Sequence, residues 1–278
     1  MRDGLRIAAD HYGSPDAEPV LFLHGGGQTR HSWDEAARAV TERGWRAVCA
    51  DLRGHGESEW SPSGVYSASE LANDVKDLVA AVGDQPVIVA ASLGGLASMV
   101  AAGEAPDQLL RGLVLVDVAP TLEAEGVERI VKFMSAFPEG FESVESAADS
   151  IAEYLPHRPR PENSSGLEKN LRQRADGRWI WHWDPRLLDR YLGGDTVKMT
   201  RVEEAAEKIT CPTLLLRGSL SDVVSEETAE RFVSRLPRAK WRDVSRARHM
   251  LAGDANDPFM EAVLGFLDEL RSPTGPTW

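Results

Sequence analysis

The stretch that decides the fold is "VIVAASLGGLAS", residues 87–98. Its first residues form a short run without polar side chains, which is typical of a buried strand in a parallel sheet. Ser92 then follows two alanines and precedes a leucine and two glycines. Small residues around a serine let a strand and the following helix approach closely, so the stretch predicts a tight strand-to-helix turn at Ser92.

Similar short apolar runs recur along the chain, and stretches with helical periodicity separate most of them. These runs are "PVLFLHG" (19–25), "WRAVCAD" (45–51), "LRGLVLVDV" (110–118) and "CPTLLLRGS" (211–219). The clearest helical stretch begins after a capping pattern of Ser67 and Glu70. The alternation predicts an α/β fold in which helices flank a mostly parallel central sheet.

About ninety residues between Asp117 and the last of these runs break the alternation, which is too long for a connecting loop. This segment therefore predicts a helical insertion with its own joints within the α/β core.

Composition argues against several classes of partner. Acidic residues outnumber basic ones by 44 to 31, giving a formal charge of −13, and no basic cluster is present for binding nucleic acid or an anionic membrane. The apolar runs are shorter than a membrane span, and the first residues lack the apolar core of a signal peptide. A cytoplasmic protein is therefore expected. Cys49 and Cys211 lack the spacing of a zinc or redox pair and are expected to be reduced core residues.

The segment around Ser92 is close to the nucleophile-elbow pattern G-x-S-x-G, with Ala90 in place of the first glycine. A serine between small residues at a strand end is more often a simple turn than a nucleophile. A catalytic role for Ser92 therefore requires partners elsewhere in the chain.

A glycine-rich turn offers the first of these partners. In "LFLHGGGQTRHSW", residues 21–33, an apolar strand ends at a histidine followed by three glycines, which expose backbone N–H groups. The N–H groups of Gly26 and Leu93 are the predicted oxyanion-hole donors. A phosphate loop is disfavoured because no Lys-Ser/Thr pair follows the glycines.

An acid and a base follow later in the chain. Asp222 lies in a loop after the strand in "TLLLRGSLSDVVS" (213–225), and His249 precedes the last helix in "VSRARHMLAGDANDP" (244–258). The order Ser92, Asp222, His249 is that of a hydrolase triad on an α/β sheet. Asp117 also follows a strand, in "LVLVD", and is the alternative acid, although Asp222 is preferred.

With these segments the chain resembles the α/β-hydrolase superfamily, and within it bacterial esterases and the cofactor-free haloperoxidase or perhydrolase group. The resemblance rests on "HGGGQTRHSW", "ADLRGHGES", "AASLGGLAS", "LVLVDVAP", "LLLRGSLSDVVS" and "RHMLAGDANDPF". It implies a serine hydrolase that cleaves a small, apolar carboxylic ester and needs no metal or organic cofactor. It also implies a helical cap over residues 121–205, inserted after the sixth strand of the sheet, which leaves residues 1–120 and 206–278 as the α/β core. It also gives His24 a turn-holding role and His55 a structural one.

Alternatives with the same triad remain open. They are perhydrolysis, lactone opening and cleavage of a carbon–carbon bond, and a non-enzymatic ligand receptor is a further reading. Oligomeric state has no signature in the sequence.

Several aromatic residues and histidines have two readings each. Trp33 follows the glycine-rich turn closely enough to line the pocket. Trp179, Trp181 and Trp183 alternate within the insertion and would share one side of an extended segment, where they either fasten the insertion to the core or line an apolar, aromatic pocket. Three isolated histidines lack the spacing of metal ligands and are expected at surface or pocket positions: His31, His157 and His182.

Overall fold

A seven-stranded sheet forms the centre of the computed structural model, which describes residues 1–83, 85–158, 160, 164–189, 199–245, 247–249 and 256–272. In chain order its strands are β1 (Ala9–Tyr12), β2 (Pro19–Leu23), β3 (Arg46–Ala50), β4 (Val87–Ala91), β5 (Gly112–Val116), β8 (Thr213–Gly218) and β9 (Ala239–Val244). The order across the sheet is β1-β3-β2-β4-β5-β8-β9. Among the described strands of this sheet, only β1 pairs antiparallel with its neighbour, which confirms the predicted mostly parallel sheet.

Helices cover both faces of the sheet, so its central strands are apolar on both sides. One face packs against α1 (Asp34–Glu42) and α8 (Asn256–Arg271). The other packs against α2 (Ala68–Val82), α3 (Ser92–Gly103), α6 (Thr200–Ala206) and α7 (Glu226–Val233). Strand β2 shows the division: Val20 and Phe22 belong to the first apolar cluster, and Leu21 and Leu23 to the second.

Helix α2 begins where its sequence pattern predicts. The Ser67 hydroxyl accepts a hydrogen bond from the Glu70 backbone N–H at 3.2 Å, which satisfies one free donor of the first turn. Gly83 follows the last turn with φ of +79°, a backbone conformation that glycine adopts without strain.

The segment between β5 and β8 builds a third apolar cluster. It contains α4 (Ala124–Ser135), α5 (Val144–Tyr154) and an antiparallel pair of strands, β6 (Leu171–Gln173) and β7 (Trp179–Trp181). The expected position after the sixth strand is wrong, because only five strands precede the segment in the described chain. The segment is also not purely helical, since β6 and β7 pair within it.

The α6 helix ends this segment and packs closely on α3. A Cβ atom added to Gly103 would overlap the backbone of Ala205, so only a hydrogen at that position permits the approach. Both cysteines are buried and free. In the described ranges, no helix combines the length and apolar character needed to cross a bilayer.

Candidate active site

Ser92 lies at the sharp turn between β4 and α3. Its φ is +41°, a left-handed conformation that costs a residue with a side chain about 1–3 kcal/mol. The preceding Ala91 is still extended, with φ of −100° and ψ of 143°. This turn presents the half-buried Ser92 side chain at the carboxyl edge of the sheet, beside the first backbone N–H groups of α3.

The glycines after Ser92 permit this turn by letting α3 lie against the sheet. A Cβ atom on Gly94 would stand 2.8 Å from the His24 carbonyl oxygen and 2.9 Å from the Leu23 Cβ. On Gly95 a Cβ would overlap the side chain of Val118. The small residues that drew attention to this stretch therefore have a steric role.

Most N–H groups of the glycine-rich turn after β2 already have a hydrogen-bond acceptor. Gly25 donates to the Gln28 side-chain oxygen at 2.9 Å, and Gln28 donates back to the Gly25 carbonyl at 3.1 Å. Gly27 donates to His55 Nε2 at 3.2 Å. Within the described residues, the Gly26 N–H makes no such hydrogen bond and lies at the wall of a cavity.

Leu93 offers a second N–H on the other side of Ser92. It occupies the first turn of α3, where backbone N–H groups have no carbonyl partner within the helix. Leu93 and Gly26 line the same cavity as Ser92. The two predicted oxyanion donors are thus both at this site.

Two buried histidines support the glycine-rich turn from below. His24 accepts a hydrogen bond from the Leu52 N–H through Nε2 at 2.9 Å, so its Nδ1–H donates to the Gly25 carbonyl at 2.8 Å. His55 accepts from Gly27 and donates through Nδ1 to the Arg53 carbonyl at 3.1 Å. Burial lowers the pKa of each imidazole to about 3, so both are neutral. The structural roles expected of His24 and His55 match these contacts.

A third buried histidine, His182, comes from the inserted segment. Its Nδ1 accepts from the Gly56 N–H at 2.7 Å, and its Nε2–H donates to the Gly27 carbonyl at 3.3 Å. Burial lowers its pKa to about 3 as well. The Gly27 residue is therefore held at its N–H by His55 and at its carbonyl by His182. No sequence spacing linked His182 to this turn, because the contact joins residues far apart in the chain.

His249 contacts Asp117, not Asp222. The His249 Nδ1 lies 2.8 Å from Asp117 Oδ2, and His249 also lines the cavity that contains Ser92. Asp117 directly follows β5 and is fully buried, whereas the His249 side chain keeps 13% of its exposure. A buried carboxylate on one imidazole nitrogen fixes which nitrogen carries the proton.

The preference for Asp222 over Asp117 as the partner of His249 is therefore corrected. Asp222 forms an ion pair with Arg129 of α4 at 2.7 Å, and both side chains are more than one third exposed. Other residues at the end of β8 and in the loop after it bind Asp117. The Ser221 hydroxyl donates to Asp117 Oδ2 at 2.6 Å, and the Gly218 N–H donates to Oδ1 at 3.0 Å. The sequence signal for Asp117 was its position directly after a buried strand.

A cavity of about 700 Å³ extends from Ser92 into the inserted segment. Its inner walls are mainly apolar and come from α4, α5 and the residues around β7. They include Val127, Ile130, Phe133, Met134, Trp181 and Trp183. Charged side chains, among them Arg158 and Lys169, also line it.

The four tryptophans separate into two groups. Trp181 and Trp183 are stacked, with ring centroids 4.9 Å apart, and line the cavity. Trp33 touches the cavity but packs between Phe22 and Phe259 in the core. Trp179 does not line the cavity, because it pairs with the backbone of Phe141 at the edge of the inserted segment.

The remaining histidines play no part in this arrangement of Ser92, His249 and Asp117. His31 lines the outer cavity, 3.6 Å from Asp34, and His157 is exposed. Across the part of the chain that the structure describes, no three His, Cys, Asp or Glu side chains are grouped to hold a metal ion.

Comparison with known proteins agrees with the fold described above. A family model described as "alpha/beta hydrolase fold" matches residues 18–255. Esterase Rv0045c of Mycobacterium tuberculosis is 30% identical over 277 residues, covering 94% of this chain and 86% of that protein. The 3-hydroxybutyrate-oligomer hydrolase of Cupriavidus necator is 31% identical over 244 residues, covering 83% and 82%. An alpha/beta hydrolase from Novosphingobium aromaticivorans has a crystal structure with a TM-score of 0.78 at 28% identity, covering 96% and 95%.

Proposed function

This chain belongs to the α/β-hydrolase family and is a hydrolase of that fold, and from this premise we propose that it cleaves a small, apolar carboxylic ester through an acyl-serine intermediate. The observation that carries the proposal is the shared cavity of Ser92 and His249, in which His249 contacts the buried carboxylate of Asp117. Its relatives are named as an esterase and an oligomer hydrolase, which supports ester hydrolysis as the reaction class.

In the proposed reaction His249 acts as general base. It removes the proton from the Ser92 hydroxyl as the serine oxygen attacks the ester carbonyl carbon. Asp117 accepts a hydrogen bond from His249 Nδ1, which keeps the basic nitrogen, Nε2, free for Ser92 and stabilises the imidazolium that forms.

The N–H groups of Gly26 and Leu93 stabilise the negative charge that develops on the carbonyl oxygen. His249 then gives its proton to the departing alcohol, leaving the acyl group on Ser92. A water molecule that His249 deprotonates attacks this acyl-serine and releases the acid. Both half-reactions use the same base and the same two donors.

The segment 121–205 acts in this proposal as a cap that forms the substrate pocket. The support is that its side chains line the cavity around Ser92. A Cβ atom added to Gly26 would lie 3.7 Å from the Met134 sulfur, and one added to Gly27 would lie 3.5 Å from the Trp183 ring. The apolar part of the wall favours short aliphatic or aromatic acyl chains.

The direct test is hydrolysis of p-nitrophenyl butyrate by the Ser92→Ala variant. Loss of the nucleophile is expected to reduce kcat by about 10⁴-fold or more, since the remaining groups act only through it. A fluorophosphonate probe is expected to label the wild type and not the variant. Ser234→Ala is the matched control, because it removes an exposed hydroxyl that directly follows α7 and donates to the Arg231 carbonyl.

Folding of both variants is checked by circular dichroism. Near-normal turnover by a folded Ser92→Ala protein contradicts the acyl-serine route. Labelling of Ser92 without turnover of any ester in a panel contradicts the proposed reaction class.

A further inference from the structure

We propose that Ser221 is a positioning residue for the pair formed by Asp117 and His249, an inference that rests on the proposed function. Ser221 lies in the loop after β8, beside the aspartate that the sequence favoured as the acid. Its hydroxyl contacts the same carboxylate oxygen that contacts His249.

The direction of this hydroxyl is fixed by its own neighbours. The N–H groups of Val223 and Val224 each donate to the Ser221 oxygen at 3.1 Å. A hydroxyl group has two acceptor lone pairs and one proton. Because both lone pairs are occupied, the proton is left for Asp117 Oδ2, 2.6 Å away.

The carboxylate of Asp117 is consequently held at both oxygens. Gly218 donates to Oδ1, while Ser221 and His249 donate to Oδ2. These contacts prevent the carboxylate from rotating away from the imidazole. Two donors from the loop after β8 therefore orient an acid that belongs to the loop after β5.

The Ser221 donor also has an electrostatic effect on catalysis. A hydrogen bond to Oδ2 withdraws negative charge from the oxygen that faces His249. When the donor is removed, the carboxylate stabilises the imidazolium form more strongly. His249 is then protonated up to a higher pH, and the acidic limb of the kcat/KM profile moves upward.

The experiment compares Ser221→Ala and Ser221→Thr over a pH series with p-nitrophenyl butyrate. The alanine variant is expected to move the acidic limb upward by about 0.5–1 pH unit, the effect of one hydrogen bond to a charged group. Its kcat is expected to fall about tenfold, because a carboxylate that has lost one of its donors orients His249 less well. Threonine keeps the hydroxyl and is expected to restore the wild-type limb. Ser234→Ala again serves as the control.

A purely structural role of Ser221, in holding the Val223 and Val224 turn, predicts a different result. In that case the melting temperature of Ser221→Ala falls, but the acidic limb of its kcat/KM profile does not move. This result overturns the proposal. If the alanine variant does not fold, Ser221→Cys retains the shape with a weaker donor and is expected to move the limb in the same direction. An unmoved limb in a folded cysteine variant overturns the proposal equally.

The proposed function and this inference fail separately. Activity in a folded Ser92→Ala protein contradicts the proposed triad, whatever the result for Ser221→Ala. If Ser92→Ala is inactive and the acidic limb of Ser221→Ala does not move, only the positioning role of Ser221 is contradicted.

Discussion

Ser92 stands between two groups of loops that use histidine in opposite ways. On one side, the loops after β2 and β3 place His24 and His55 under the glycine-rich turn, and His182 joins them from the inserted segment. On the other side, the loops after β5 and β9 bring His249 against Asp117. The first three rings bond only to backbone groups, whereas the fourth bonds to a carboxylate and retains some exposure.

This difference separates a structural histidine from a reactive one. A fully buried imidazole with both nitrogens bonded to the backbone is locked in its neutral form. An imidazole with one nitrogen on a carboxylate and the other directed to a cavity can gain and lose a proton during a reaction. The role of a histidine is therefore decided by its hydrogen-bond partner and by whether its ring is open to the cavity, not by the residue type.

Asp117→Asn tests the reactive side of this comparison and is expected to have the largest effect. An amide in place of the carboxylate favours the wrong tautomer of His249 and no longer stabilises its cation, so kcat is expected to fall by about 10⁴-fold. The measurement is kcat for p-nitrophenyl butyrate in the purified variant. A loss of less than about tenfold, the size of one modest hydrogen bond, contradicts the assignment of the acid.

Acid titration of stability tests the buried side. The pKa values of His24, His55 and His182 are lowered to about 3 in the folded protein. The unfolded chain therefore binds more protons below pH 6.5, and the stability present above that pH is lost as the pH falls. Between pH 7 and 5.5 the three rings are expected to remove about 4 kcal/mol from the free energy of unfolding. Urea denaturation at the two pH values measures this change, and a difference near zero contradicts the neutral cluster.

His182→Gln sharpens the same point with a smaller effect. Glutamine does not titrate, so one of three contributions disappears and the acid-induced loss is expected to shrink by about one third, on the order of 1 kcal/mol. An unchanged pH dependence of stability shows that His182 is not a buried neutral ring.

Asp222→Asn is expected to have the smallest effect. Its ion pair with Arg129 is more than one third exposed, and such pairs contribute about 0–1 kcal/mol. Its kcat is expected to stay within about threefold of wild type, a free-energy difference below about 1 kcal/mol. A loss comparable to that of Asp117→Asn reverses the comparison and restores Asp222 as the acid.

Local patterns were sufficient for the sheet and for the Ser92 turn. Buried strands without polar residues, the capping pattern at Ser67 and the glycines after Ser92 act over a few residues, so their physical cause is visible in the sequence. Short apolar runs did not reveal that five strands precede the inserted segment or that β6 and β7 pair within it. Strand pairing joins residues that are apart in the sequence. Residue spacing alone did not decide which tryptophans line the cavity. Trp179 shares its alternation with Trp181 and Trp183 but does not line the cavity.

The sequence by itself determined the parallel α/β sheet, the turn that presents Ser92 and the glycine-rich turn, because each follows from steric and polar demands of adjacent residues. Only the tertiary structure decided which aspartate reaches His249. Asp117 and Asp222 follow neighbouring strands, and both positions suit an acid in the linear chain. The choice between them depends on how the loop after β8 folds back, where Ser221 and Gly218 bind the buried Asp117 and Arg129 draws Asp222 outward.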